Sequence, residues 1–247
     1  MLQRSVDIVT PDGMCPGLLS TPAGEGPRPA VIMFPDAGGM RQTFRHMARR
    51  LSDLGYVVLV PDLYYRIAPY EPLDIGPARS STELMEEIMR RAGSYSMDMA
   101  ALDAAACLHY LDSLGEKAPG GVGTTGYCMG GRLALAAAAD LGERVAAAAS
   151  FHGGNLAKAD DPASPHHRAQ AIRASVYVAA AVEDPVFPDE QKSLLAQSLS
   201  EAGVRHTIET YQAHHGFAVP DNETYDPAAA ERHWKATEQL FGSVLGG

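Results

Sequence analysis

The chain has 247 residues, and its hydrophobic fraction of 46% supports a packed core and argues against disorder. The formal net charge is -10 and no run of five Lys or Arg residues occurs, so we expect no nucleic-acid partner. The N-terminus lacks a signal-peptide pattern, and no stretch approaches about 18 uncharged apolar residues, which predicts a cytoplasmic protein without membrane contact. The length fits a single domain over residues 1–247.

The N-terminal segment precedes the first buried strand and carries a turn signal at Pro11-Asp12-Gly13. It predicts an antiparallel edge hairpin with strands near Val6–Val9 and Gly17–Leu19. Farther along the chain, Tyr64–Ser96 contains no clear strand. This segment is a candidate for a cap-like excursion over the functional site.

Short apolar runs without polar alternation predict buried parallel strands, and helical stretches lie between them. The predicted strands are Ala30–Phe34, Val57–Val60, Gly121–Thr125, Val145–Phe151, Val176–Val182 and Val204–Tyr211. The predicted helices are Phe44–Leu54, Met97–Leu114, Leu133–Ala139, Asp189–Glu201 and Ala228–Leu240. This alternation predicts an α/β fold with a mostly parallel, doubly wound sheet.

A cysteine lies at the centre of Gly126-Tyr127-Cys128-Met129-Gly130, between a predicted strand and a predicted helix. Glycines two residues on either side of a nucleophile are typical of a tight turn that lifts the reactive atom above the sheet. The helix N-terminus and an adjacent histidine would both favour the thiolate. The pattern therefore predicts that Cys128 is a nucleophile. The alternative is a small buried hydrophobic residue.

The other two cysteines, Cys15 and Cys107, lack this context and are expected to be buried in the hairpin and in a helix. The wide spacing of all three predicts reduced thiols, and the absence of a C-x-x-C pair disfavours zinc. A metal site that joins His166-His167 to His214-His215 is also disfavoured, because no carboxylate or cysteine shares a ligand spacing with these histidines. We therefore expect no metal ion.

An acid and a histidine should follow the nucleophile along the chain, each after a later strand. Asp184 follows the predicted strand Val176–Val182 and is the predicted acid, with Glu183 as its adjacent rival. Asp189 opens the next helix, where an N-cap is the better interpretation.

The histidine is expected after the predicted strand Val204–Tyr211, where His214 and His215 are adjacent. Only one of two neighbouring side chains can point at the thiol, and the residues alone do not decide between them. An oxyanion hole needs two backbone N–H donors. Met129, after the nucleophile, and Ala37, in the loop after the first parallel strand, are the predicted donors. A plain tight turn is the alternative for that loop.

These residues resemble the dienelactone hydrolase family over essentially the whole chain. The matching segments are Gly126-Tyr127-Cys128-Met129-Gly130-Gly131, Pro61-Asp62-Leu63-Tyr64, Glu183-Asp184-Pro185, His215-Gly216-Phe217 and Glu231-Arg232-His233-Trp234. The resemblance implies an α/β-hydrolase fold and selects His215 over His214, because the family's histidine precedes a small residue and Phe.

The resemblance also bears on two further positions. Asp36 stands where family members often have a glutamate, which implies a carboxylate that holds the resting thiol. Capping of the following turn is an equal alternative for this shorter side chain. The family's arginine after the catalytic histidine, which grips a substrate carboxylate, is replaced here by Val219. Arg66, Arg90 or Arg91 are candidates to take its place.

The leading functional prediction is a hydrolase for a small ester or lactone that needs no cofactor. Cys128 attacks the carbonyl, His215 acts as base and then as acid, and Asp184 orients its ring. One alternative is a non-catalytic protein on the same fold that binds a ligand or regulates a partner. Another is a redox sensor at Cys128, disfavoured because no resolving cysteine lies nearby in the sequence.

Overall fold

The strands of this protein form one continuous sheet in the computed structural model, which describes residues 2–73, 75–77 and 81–246. The strands are β1 Leu2–Thr10, β2 Gly13–Thr21, β3 Ala30–Phe34, β4 Val57–Pro61, β5 Val122–Tyr127, β6 Val145–Phe151, β7 Ser175–Ala181 and β8 His206–Tyr211. Their spatial order is β1-β2-β4-β3-β5-β6-β7-β8. The first hairpin pairs antiparallel within itself and with β4, and the remaining neighbours are parallel.

Helices enclose the sheet on both faces. They are α1 Gln42–Asp53, α2 Thr82–Gly93, α3 Met97–Asp112, α4 Met129–Leu141, α5 Asp189–Glu201 and α6 Pro227–Val244. One face packs against α3, α4 and α5, and the opposite face packs against α1 and α6. Strands β3, β4, β5 and β7 are buried along their whole length, as expected for central parallel strands. The predicted fold class is confirmed.

Two threonines lie in the central strand β5, where Val or Ile is more usual. Both are buried, and the hydroxyl of Thr124 donates a 3.0 Å hydrogen bond to the carbonyl of Ala134 in α4. This bond satisfies the polar atom inside the core and ties the strand to the helix that follows the turn at Cys128.

The segment Tyr64–Ser96 contains one feature that the sequence analysis missed. Helix α2 begins after Ser81, whose hydroxyl accepts a 3.2 Å hydrogen bond from the backbone N–H of Leu84. Residues 74 and 78–80 of the segment, and residues 1 and 247 of the predicted single domain, lie outside the described residues.

The N-cap prediction for Asp189 was wrong by one position. Pro188 is the N-cap of α5, with extended backbone angles, and Asp189 is the first helical residue. Its carboxylate lies in the first turn, where the helix dipole favours a negative charge, and pairs with Lys192 at 3.0 Å.

Among the helices that the structure describes, none is both long and apolar enough to cross a membrane.

Candidate active site

The backbone at Cys128 makes a sharp turn between β5 and α4. Its φ of 54° and ψ of -117° are unfavourable for an L-residue, so the surrounding structure must enforce them. A Cβ atom on Gly126 would lie 1.9 Å from the carbonyl oxygen of Gly130. A Cβ atom on Gly130 would in turn lie 2.2 Å from the oxygen of Phe34. The two glycines therefore allow α4 to begin directly against β5 and the end of β3.

The side chain of Cys128 is partly exposed, whereas Cys15 and Cys107 are buried in the core. Cys128 precedes the first residue of α4, so its thiol lies at the positive end of a helix dipole. Its backbone N–H donates to the carbonyl oxygen of Phe151 in β6 at 3.1 Å. Among the three cysteines, this one has the environment of a reactive thiol.

The predicted acid and histidine lie together. Nδ1 of His215 is 2.7 Å from Oδ2 of Asp184, and the other carboxylate oxygen accepts a hydrogen bond from the N–H of Val186 at 3.1 Å. The Asp184 side chain is buried, while its rival Glu183 is exposed. His214 is exposed as well, so His215 is the member of the histidine pair that reaches the carboxylate.

The ring of His215 interacts with both Asp184 and Cys128. Burial of the ring opposes a positive charge, but the charge of Cys128 and hydrogen bonds to Asp184 and Cys128 outweigh it and raise the pKa of His215 to about 10. The imidazolium form of His215 is therefore stabilised between Asp184 and Cys128. This arrangement can deliver a nucleophilic sulfur and a proton to the same substrate.

The backbone of the loop after β3 lies against the N-terminus of α4. The carboxylate of Asp36 accepts from the N–H of Gly38 at 2.9 Å, and its carbonyl accepts from the N–H of Gly39 at 2.9 Å. Neither bond uses the N–H of Ala37. Met129 is the first residue of α4, and its N–H has no acceptor within the helix. The N–H groups of Ala37 and Met129, the two predicted oxyanion donors, thus take part in none of these hydrogen bonds.

Asp36 differs from what the resemblance implies. Its two carboxylate oxygens accept hydrogen bonds from Arg41 at 2.6 and 2.9 Å, in addition to the bond from Gly38. The geometry is that of the turn-capping alternative, and the partner of the carboxylate is a guanidinium rather than the thiol of Cys128. The short aspartate stays on its own loop because Arg41 lies within reach there.

Arg41 also joins two loops of the site. Beyond Asp36, its Nε and Nη2 donate to the carboxylate of Asp221 at 2.7 and 2.8 Å. Asp221 belongs to the loop that carries His215. A single buried guanidinium therefore holds the loop of Ala37 against the loop of the histidine.

The segment 64–96 covers the loop after β3. The hydroxyl of Tyr64 donates to the carbonyl of Ala37 at 2.8 Å, and burial, followed by the charges of Asp36 and Cys128, raises the pKa of this phenol. Ile75 packs so closely that a Cβ atom on Gly38 would lie 2.7 Å from its Cγ2. The described parts of the segment thus form one wall beside the candidate oxyanion hole.

Val219 does not face a ligand. It is fully buried in the core beneath α1 and α6. The candidate replacements for the missing arginine all have carboxylate partners: Arg66 pairs with Asp103 and Asp12, and Arg90 and Arg91 pair with Glu87.

The sequence analysis missed one histidine at the site. His152 directly follows β6, its side chain is buried, and its ring centroid lies 5.2 Å from that of His215. The sequence did contain a signal, because His152 directly follows a predicted strand. Strand β6 is parallel to its neighbour β5, so residues that follow these two strands lie at the same edge of the sheet.

The remaining histidine pair lies elsewhere. The rings of His166 and His167 contact each other, with centroids 3.8 Å apart and planes tilted by 38°. Within the described ranges, no group of three or more His, Cys, Asp or Glu side chains is arranged to hold a metal ion.

Comparisons with known proteins agree with this architecture. The family model described as the dienelactone hydrolase family matches residues 15–245. A carboxymethylenebutenolidase from Pseudomonas putida is 30% identical over 56% of this chain and 57% of its own. A relative from Synechocystis is 28% identical over 93% of this chain and 92% of its own.

Solved structures share the fold. A dienelactone hydrolase-like promiscuous phosphotriesterase from metagenomic libraries has a TM-score of 0.81 at 27% identity, with 99% of each chain covered. An esterase from the archaeon Pyrobaculum calidifontis has a TM-score of 0.73 at 20% identity, over 98% of this chain and 85% of its own.

Proposed function

The chain belongs to the dienelactone hydrolase family, and we propose that it hydrolyses small esters or lactones with Cys128 as nucleophile, His215 as acid and base, and Asp184 as the orienting carboxylate. One observation carries the proposal: His215 interacts with Cys128 on one side and lies 2.7 Å from Asp184 on the other. These are the contacts that a nucleophile, its base and an orienting acid require.

In the first half of the reaction, the Cys128 thiolate attacks the substrate carbonyl carbon and forms a C–S bond. The carbonyl oxygen becomes an oxyanion, which the N–H groups of Met129 and Ala37 stabilise. When the oxyanion collapses, the C–O bond to the leaving alcohol breaks, and the imidazolium of His215 gives its proton to the departing oxygen. The acyl group is now held as a thioester, and His215 is neutral.

In the second half, neutral His215 removes a proton from a water molecule, which attacks the thioester carbonyl. The C–S bond breaks, the carboxylic acid leaves, and the thiolate and imidazolium are restored. Asp184 keeps Nδ1 of the ring engaged throughout, so Nε2 is the atom that exchanges protons. In the proposed cycle His215 relays every proton that moves, water replaces the proton given to the leaving alcohol, and no cofactor takes part.

The relatives guide the choice of substrates. The Pseudomonas putida protein is named for a butenolide, which is an unsaturated lactone, and the metagenomic structure is named for phosphotriesters. Lactones and short-chain esters are therefore the first substrates to test, and a phosphotriester is a useful additional probe. The cytoplasmic location and the single domain over residues 1–247 stay predictions.

The test compares variants of the two classes of cysteine. Cys128→Ala should abolish hydrolysis of p-nitrophenyl acetate and of dihydrocoumarin, whereas Cys107→Ala, the same change at a buried thiol away from the site, should retain it. An acid quench followed by mass spectrometry should find one acetyl group on the peptide that contains Cys128. Full activity in Cys128→Ala would refute the proposal, and tight lactone binding without turnover in the unmodified protein would favour the non-catalytic alternative.

A further inference from the structure

His152 lies beside the nucleophile because of the sheet register. Tyr127 at the end of β5 pairs with Phe151 at the end of β6, so the next residues, 128 and 152, leave the sheet side by side. The backbone N–H of His152 still donates to Ala179 of β7 at 2.8 Å, although its φ is 39°. Its side chain is only 1% exposed.

The ring of His152 accepts a hydrogen bond from the backbone of the nucleophile. The N–H of Cys128 is shared between the carbonyl of Phe151, at 3.1 Å, and Nδ1 of His152, at 3.2 Å. An imidazole nitrogen that accepts a hydrogen bond carries no proton, which assigns the ring proton of neutral His152 to Nε2. Nε2 is buried without a hydrogen-bond partner among the described residues.

The surroundings of His152 keep it neutral. Burial, followed by the charges of His215 and His233, lowers its pKa well below the usual value. Among the described residues, the titratable side chains that face it are His215 from the loop after β8, Tyr127 from β5 and His233 from α6, whereas Cys128 meets it through its backbone N–H. A positive charge on His152 would remove the acceptor at Nδ1 and would repel the imidazolium of His215.

The same ring packs against the other half of the site. It meets His215 edge to face at 5.2 Å and Phe217 at 5.0 Å between centroids. His152 therefore touches both the backbone of the nucleophile and the ring of its acid-base partner. Because the backbone of Cys128 is strained, a contact from His152 can help to hold it in place beside His215.

We propose that His152 is a positioning residue that holds the backbone of Cys128 through Nδ1, and so keeps the thiol in register with the imidazole of His215. The inference rests on the proposed function of this pair. Displacement of either group by about 1 Å can cost up to about a hundredfold in rate, so one shared neighbour has a measurable effect. His152 touches no reacting atom in this scheme.

Two substitutions separate the acceptor from the ring. In His152→Asn, the amide Oδ1 stands at the same covalent distance from Cα as Nδ1 and can still accept from Cys128. In His152→Phe, the aromatic contact with His215 and Phe217 is kept and the acceptor is lost. We expect His152→Phe to lower kcat about tenfold with little change in KM, and His152→Asn to remain within about threefold of the unmodified protein.

A second measurement needs no substrate. Titration of the histidine rings by ¹⁵N NMR should show His152 neutral with its proton on Nε2 from pH 5 to 9, a range chosen to bracket the usual histidine pKa of about 6.5. It should also show the pKa of His215 lowered in His152→Phe and preserved in His152→Asn, because a displaced Cys128 stabilises the imidazolium less. This readout applies even where the phenylalanine variant folds poorly, since the tautomer is measured in the unmodified protein.

Three results would overturn the inference: equal losses in the two variants with an unchanged pKa of His215, no loss in either, or a proton on Nδ1 of His152. Failure of the proposed function looks different. In that case no ester or lactone would be hydrolysed by the unmodified protein, while the NMR titration would still report whether His152 positions the pair.

Discussion

The ion-pair network of Arg41 gives the sharpest test of how the site is held together. Arg41 and Asp36 are both 5% exposed at the side chain, whereas Asp221 is 36% exposed. We consider Arg41→Met, which keeps much of the side-chain volume and removes the charge. Asp36 would then be a buried carboxylate whose remaining hydrogen-bond partner is the N–H of Gly38.

The expected magnitudes differ for the two sides of the network. Removal of one member of a buried ion pair typically costs about 3–5 kcal/mol, because the remaining charge is left uncompensated. Asp221→Asn removes a charge that water already reaches, and the cost of such a partly exposed pair is about 0.2–1 kcal/mol. In the double variant Arg41→Met/Asp36→Asn no buried charge remains in this network, so the double variant should be more stable than Arg41→Met alone.

The assay is urea unfolding of these three variants and the unmodified protein, followed by fluorescence of the single tryptophan, Trp234, and by circular dichroism. Recovery of stability on adding Asp36→Asn is the decisive result. The reasoning is refuted if Arg41→Met costs no more than Asp221→Asn, or if the double variant is less stable than Arg41→Met. Because Arg41 also joins the loops of Ala37 and His215, folded Arg41→Met should lose activity through kcat.

The remaining predictions concern the candidate triad and its turn. Asp184→Asn should lower kcat by about 10²-fold or more with the fold intact, because the ring of His215 loses the carboxylate that accepts its hydrogen bond at 2.7 Å. Steady-state kinetics with p-nitrophenyl acetate measures this loss. Activity should fall as pH rises through the pKa of His215, near 10, because the neutral ring cannot protonate the leaving alcohol. Cys128→Ala should lower that pKa in an NMR titration, and an unchanged midpoint would contradict the interaction between His215 and Cys128. Gly126→Ala should destabilise the protein by about 1–3 kcal/mol or more in thermal unfolding, because the new Cβ would lie 1.9 Å from a backbone oxygen. The control is Gly242→Ala, which should be neutral or stabilising because nothing lies within 4 Å of its Cβ position.

The parts of this protein that follow from local pattern were predicted well. The strands Ala30–Phe34 and Val145–Phe151 and the helix Asp189–Glu201 have the predicted bounds. Their buried faces and turn residues are encoded within short windows, and the turn at Cys128 is encoded within five residues. The chain order of acid and histidine led to Asp184, with Glu183 as its rival, and to the pair His214-His215, because a parallel sheet brings the carboxyl ends of its strands to one edge. The choice of His215 came from the family resemblance, and the catalytic roles stay predictions.

The parts that depend on contacts between distant loops were not predicted. Arg41 and Asp221 are 180 residues apart, and their bond exists only because the loops after β3 and β8 meet above the sheet. Asp36 is a different case, because its partner Arg41 is a local one and the turn-capping alternative for Asp36 was already open from the sequence. His152 was missed because a histidine after a strand carries no motif of its own, and its role depends on the neighbour across the register.

The contacts of Arg41 and His152 suggest how the loops of the site keep their relative positions without a disulfide or a metal ion among the described residues. The proposed reacting groups come from the ends of β3, β5, β7 and β8, and each loop alone would be free to shift. Arg41 joins the first loop to the last, and His152, which follows β6, contacts the backbone of Cys128 and the ring of His215. The two contacts use different chemistry, one a buried ion pair and the other a neutral ring. If both act as proposed, their effects on kcat should be close to additive in Arg41→Met/His152→Phe, because the two side chains share no partner in the hydrogen-bond network.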